Sequence, residues 1–168
     1  QHQSWQGLDD WKKALWDAAS IVTAFTIAHS LTLAVAAFHW VSLPSRWVES
    51  AIAASVIVAA LHNLRPVLDR WRWMLAFVFG LIHGFGFASA LSDLTSGTDA
   101  QLLALVGFNL GVETGQLAIV AIFIPLAFLS RNSQYYQRGI LTGGSLMIAS
   151  VAGLWLCQRL FNLTLIAG

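Results

Sequence analysis

The alternation of apolar and polar residues divides the chain into five long apolar blocks, at 18–38, 47–64, 73–94, 102–129 and 140–160. Each is close to the length a helix needs to cross about 30 Å of hydrocarbon. The block at 47–64 is the shortest and is expected to stand nearly upright or to begin close to Pro44. The pattern predicts an all-α fold, a polytopic transmembrane helix bundle with five visible spans, forming a single integral membrane domain over residues 1–168. The connections HWVSLPSR, HNLRPVLDRWR, SDLTSGTDAQ and SRNSQYYQRG hold most of the charge and read as interfacial loops. Ahead of the first block, in SWQGLDDWKKALWDAAS, Leu8, Trp11, Leu15 and Ala18 recur at helical spacing among Asp9, Asp10, Lys12, Lys13 and Asp17. Residues 1–17 are therefore expected to form an amphipathic interfacial helix, with a flexible tether as the alternative. No internal repeat marks an inverted-repeat transporter.

Composition strengthens the membrane reading. The 168 residues are 57% hydrophobic and 10% charged, with a mean hydropathy of +0.68, where an average soluble domain carries about 25% charge. A formal net charge of +1 gives no reason to expect nucleic acid as a partner. The single cysteine, Cys157, excludes an internal disulfide and a cysteine-rich zinc site. No glycine loop with Lys and Ser/Thr is present to cradle a nucleotide, and no organic cofactor is expected.

Charge also gives an orientation. In a five-span arrangement Lys12, Lys13, Arg65, Arg70, Arg72, Arg131 and Arg138 fall on one side, and only Arg46 and Arg159 on the other. The positive-inside rule then puts the start of the chain in the cytoplasm and its C-terminus outside. Trp16, Trp71 and Trp73 sit at the inner boundaries and Trp40, Trp47 and Trp155 at the outer ones, as interfacial anchors should. The chain opens on Gln1 without a signal-peptide pattern, so a processed or partial chain is expected.

The chemistry lies in polar residues at one depth. His29 in the first block, His83 in the third and Glu113 in the fourth each lie about 15–17 Å from a membrane surface, close to the midplane. Ionisable side chains there are costly and normally face the bundle interior and pair with one another. Thr26, His29, Ser30 and Thr32 form a polar patch at three- and four-residue spacings. In FNLGVETGQLAIV, Asn109, Glu113 and Gln116 share one face, while Gly107, Gly111 and Gly115 recur on the other, where small residues admit a neighbouring helix. Gly80 and Gly84 are expected to pack closely beside His83, and Gly84 and Gly86 to loosen the helix there.

Two imidazoles and a carboxylate suit a borderline divalent metal such as nickel, cobalt or zinc. Asn109 and Gln116 are expected as supporting ligands. The same groups would also serve a proton relay. Taken singly, a membrane histidine reads equally as a structural hydrogen-bonding group and a lone Glu as a protonated donor. His62, His39 and Asp93, nearer the membrane surfaces, are candidate relay points, or interfacial residues of no special role.

The stretches TAFTIAHSLTL (23–33), GLIHGFGFASAL (80–91) and FNLGVETGQLAIV (108–120), with VESAIAASVIVAALHNL (48–64) beside them, resemble the HupE/UreJ family of hydrogenase and urease accessory membrane proteins. The resemblance covers roughly residues 15–125. It implies a small permease for nickel, or else cobalt, that supplies metalloenzyme assembly, with His29, His83, Asn109, Glu113 and Gln116 at the family's motif positions. Relatives typically begin with an earlier span bearing an H-I-x-x-G-x-D-H motif, which QHQSWQGLDDW does not match, so a sixth span is expected in the intact protein, with a shortened family member as the alternative.

The expected function is transport of Ni²⁺, with Co²⁺ or Zn²⁺ as further candidates, through a midplane His/Glu site in the inner membrane of a bacterium. Lipid, the metal ion and metalloenzyme accessory proteins would be the partners, and an oligomer is compatible. Two alternatives stand beside it. One is a metal-dependent intramembrane hydrolase in which His29 and His83 hold zinc and Glu113 activates water. The other is a structural or assembly subunit docking through its glycine faces.

Overall fold

A computed structural model describes residues 11–65, 71–94, 98–131 and 133–163, with the side chains at 88–94, 98–101 and 137 outside that description. The regular elements among these residues are all helices: α1 (Trp11–Ala37), α2 (Ser45–Leu64), α3 (Arg72–Leu94), α4 (Thr98–Ser130), a π-helical segment (Tyr135–Gly143) and α5 (Gly144–Phe161). Four stretches, Trp11–Ala37, Ser45–Leu64, Leu102–Ser130 and Arg138–Phe161, are long and apolar enough to cross a membrane. At 23 residues, α3 has the length to be the fifth.

The five apolar blocks each became a helix, with two differences. The expected surface helix has no boundary with the first span: from Trp11 onward it is the opening of α1, a single helix of 27 residues. No Gly or Pro interrupts residues 11–37, so the charged first turns simply carry the helix beyond the hydrocarbon. Residues 1–10 of the expected surface helix lie outside the described residues. The last span, expected from 140, begins as the nine-residue π-helical segment that runs directly into α5.

Helix ends follow local chemistry. The α1 terminus is a Schellman motif: His39 adopts a left-handed φ of 56°, its N–H donates to the Ala36 carbonyl, and the Trp40 N–H donates to the Val35 carbonyl at 3.1 Å. Pro44 then sets the entry to α2. Arg65 closes α2 in an extended conformation, as a residue preceding a proline must. Asn162 ends α5 in the left-handed region at φ 54°.

The packing is strongest between α1 and α3 and between α2 and α5. The α1–α4 contact is next, and α2–α3 is lighter. The helices therefore form a row, α4–α1–α3–α2–α5, with α4 and α5 at its edges. Gly80 and Gly84 make the α1–α3 contact possible. A Cβ at Gly80 would run into the Phe25 carbonyl, and one at Gly84 into Thr32 Oγ1 and the His29 carbonyl. At the far side of the row, Arg46 at the start of α2 donates from Nε to the Arg159 carbonyl at 2.9 Å and from Nη2 to the Leu160 carbonyl. Arg159 Nε in turn meets Glu49 Oε2 at 2.5 Å. These contacts put at one end of the bundle the two arginines that the charge count assigned to a common side.

Candidate functional site

His29 sits where α1, α3 and α4 meet. It is only 2% exposed, and among the described residues neither Nδ1 nor Nε2 has a hydrogen-bond partner. Its walls are aromatic and come from three helices. Phe25 of α1 stacks on the imidazole with centroids 5.8 Å apart. Phe108 of α4 stacks from another side at 6.2 Å. Phe87 of α3 meets it edge-on at 5.8 Å and also touches Phe108. An unpaired polar group in such a place costs about 1–3 kcal/mol, and a native exception of this kind is explained by a functional role, a bound ion or a bound water.

His83 is the second imidazole of this box. Phe25 packs against it edge-on at 5.4 Å, so one phenyl ring contacts both histidines. The Nδ1–H of His83 donates to the Phe79 carbonyl at 2.8 Å. Because a carbonyl only accepts, this bond fixes the tautomer and leaves the Nε2 lone pair for a ligand. Metal-binding histidines are commonly oriented in this way.

Glu113 does not complete that pair. Among the described residues no group of three or more His, Cys, Asp or Glu side chains stands close enough to hold an ion. The reason is rotational. At about 100° per residue, Phe108 and Glu113 lie about 140° apart around α4, with Asn109 and Gln116 between them. Phe108 faces His29, whereas Glu113 lines a cleft of about 420 Å³ on the other side of the α1–α4 contact, with Thr26, Ile27, Ser30, Asn109 and Leu110.

Between the two lies a seam of hydroxyls and amides. Ser30 Oγ contacts Asn109 Oδ1 at 2.7 Å, and the Thr26 hydroxyl reaches Gln116 Oε1 at 3.3 Å. Asn109 is oriented by donating from Nδ2 to the Leu105 carbonyl at 2.9 Å. Asn109 and Gln116, expected as metal ligands, here clasp α4 to α1. Asn109→Leu is accordingly expected to destabilise the protein by about 0.6–1.7 kcal/mol in thermal unfolding, while leaving metal affinity unchanged. A fall in affinity without that loss of stability would return Asn109 to the ligand shell.

The remaining expectations divide. Gly80 and Gly84 pack as predicted, and Gly86 lies against Ile52 of α2. Gly107, Gly111 and Gly115 share the same four-residue spacing but, among the described residues, have nothing within 4 Å of a would-be Cβ, because α4 lies at the edge of the row. His39 sets the α1 terminus, as described. His62 lies in the last turn of α2 and is engaged within the protein. Asp93 belongs to α3, with its side chain outside the described residues.

Sequence reasoning missed the phenylalanines. The signal was present: Phe25 precedes His29 by four residues and Phe87 follows His83 by four, the spacing at which helical side chains touch. It also passed over Glu49.

A family model described as HupE / UreJ protein matches residues 11–159. No curated protein and no solved structure matches the chain.

Proposed function

Since this chain belongs to the HupE/UreJ family, known as nickel/cobalt accessory membrane proteins, we propose that it carries a divalent transition-metal ion, Ni²⁺ foremost, across a bacterial inner membrane to supply metalloenzyme maturation. The observation that carries this reading is His29, a buried imidazole with two unsatisfied nitrogens inside a membrane-embedded box that His83 shares.

The chemistry of the box suits such a cargo. Imidazole nitrogens prefer nickel, cobalt and zinc to magnesium or calcium, which take oxygen shells. The faces of Phe25 and Phe108 carry negative quadrupole density that favours a desolvated cation. Two imidazoles without a thiolate hold an ion loosely enough to release it, which conduction requires. His83 enters with its tautomer already set by Phe79, so ion binding needs no proton rearrangement there. Asn109 and Gln116 keep α4, and with it Phe108, against α1.

The hydrolase reading loses its general base, because Glu113 lies across the seam from the imidazoles. The assembly reading keeps one supporting observation, the glycine face of α4, which meets none of the described residues and is compatible with an oligomeric permease. The test is Ni²⁺ uptake by purified protein in proteoliposomes. Saturable uptake is expected, suppressed by Co²⁺ well before Mg²⁺ or Ca²⁺ and abolished in His83→Ala. Absence of uptake, or equal suppression by Mg²⁺, would overturn the reading.

A further inference from the structure

A second cavity, of about 210 Å³, lies at the end of the bundle that carries Arg46 and Arg159. His39, Ser42, Ser45, Glu49, Phe85 and Gly86 are among the residues lining it. We infer that this cavity is a capture site for a partly hydrated divalent transition-metal ion, with the His39 imidazole and the Glu49 carboxylate as its ligands. The inference rests on the transport reading above.

Three features support it. The first is the donor set. One imidazole, one carboxylate and two hydroxyls line a single space, a mixture that suits borderline divalent ions. The volume is that of about seven waters at roughly 30 Å³ each, enough for an ion that keeps much of its hydration shell.

The second feature is position. Gly86 at the cavity lies on α3 three residues, about 4.5 Å of helix rise, from His83. The cavity thus extends from the loop between α1 and α2, which supplies His39 and Ser42, inward to α3 on the side from which the histidine box would be reached.

The third feature is rigidity with a built-in competitor. The Schellman motif fixes the backbone at His39, so its ring is presented from a defined point. Glu49 is partly buried, and Arg159 Nε occupies its Oε2. An incoming cation must share that carboxylate with a guanidinium, which weakens capture and keeps it reversible. Removing the guanidinium should therefore strengthen capture, and removing the carboxylate should weaken it.

The opposite signs make the test specific. Initial rates of Ni²⁺ uptake into proteoliposomes are measured against Ni²⁺ supplied on the Arg46 side. Glu49→Gln and His39→Ala are expected to raise the half-saturating concentration about tenfold with the saturating rate held within about twofold, the signature of lost ground-state binding. Arg159→Gln is expected to lower the half-saturating concentration severalfold, since it frees the carboxylate and leaves the Arg159 main-chain carbonyl for Arg46. If Arg159→Gln shifts it in the same direction as Glu49→Gln, the ion pair is only a tie between α2 and α5 and the inference fails.

A binding measurement separates this failure from failure of the transport reading. Co²⁺ titrated by visible absorption into the His29→Ala/His83→Ala double variant should still bind weakly, and this residual signal should vanish on adding His39→Ala. Wild-type uptake with no residual signal would overturn the capture site and keep the permease. A residual signal that depends on His39, without any wild-type uptake, would overturn the permease and leave only an ion-binding site.

Discussion

Gly84→Leu is expected to yield no folded protein. The α1–α3 interface is the most extensive in the molecule, and at Gly84 the α3 backbone lies directly against Thr32 Oγ1, the His29 carbonyl and the Leu33 nitrogen. Two of these three are main-chain atoms of a continuous helix, so no side-chain rotation can make room. Overpacking typically costs about 1–3 kcal/mol where neighbours can shift. Here the helices must separate, which would also open the Phe25–His83 contact. The measurement is the yield of monodisperse protein in detergent, with Gly86→Ala as the comparison. A Cβ at Gly86 meets chiefly the end of the Ile52 side chain, which can rotate away, so that variant should be recovered. Equal recovery of the two would mean that the close approach at Gly84 is not needed for folding.

His29→Leu is expected to raise stability and abolish metal handling together. In the absence of an ion, the two ring nitrogens are desolvated and unbonded, so an apolar side chain of similar reach should gain about 1–3 kcal/mol by removing them. The three surrounding phenyl rings offer leucine an apolar site. Metal affinity should fall by more than the roughly 10–100-fold typical of disturbing an outer-shell partner, because a ligand itself is lost. Differential scanning of the metal-free protein, beside Ni²⁺ or Co²⁺ titration, reads both quantities. A histidine retained for structure would show the reverse, with lower stability and metal binding preserved. This trade between stability and activity is characteristic of sites kept for function.

The spans were legible because a buried membrane helix needs only length and apolarity, and residues 18–38 or 102–129 carry both. Continuity through residues 11–17 was harder to read. The charges there suggested a change of environment, and a helix crossing from hydrocarbon into water needs no change of backbone. The π-helical segment at Tyr135–Gly143 left no signal in hydropathy.

At the site, depth was legible and azimuth was not. His29, His83 and Glu113 share a level because depth follows from counting residues along a span. Which way each side chain points depends on the neighbour that its helix finds. Thr26 and Ser30 took α4 as their partner, and that placed Glu113 on the far side of the seam. The glycines make the same point: Gly80 and Gly84 are buried against α1, whereas Gly107, Gly111 and Gly115, at identical spacing, meet none of the described residues. Spacing announces a surface that another helix can approach closely, and only the tertiary arrangement says whether one does.

The pairing of α2 with α5 has a consequence for biogenesis. The ribosome delivers α5 only after α2, α3 and α4, so during synthesis α2 enters the bilayer well before its principal neighbour exists. Until then its lighter contact with α3 must suffice, and Glu49 lacks the Arg159 guanidinium that α5 brings to it. The arrival of α5 in the bilayer is therefore the moment at which this row of helices acquires its edge beyond α2.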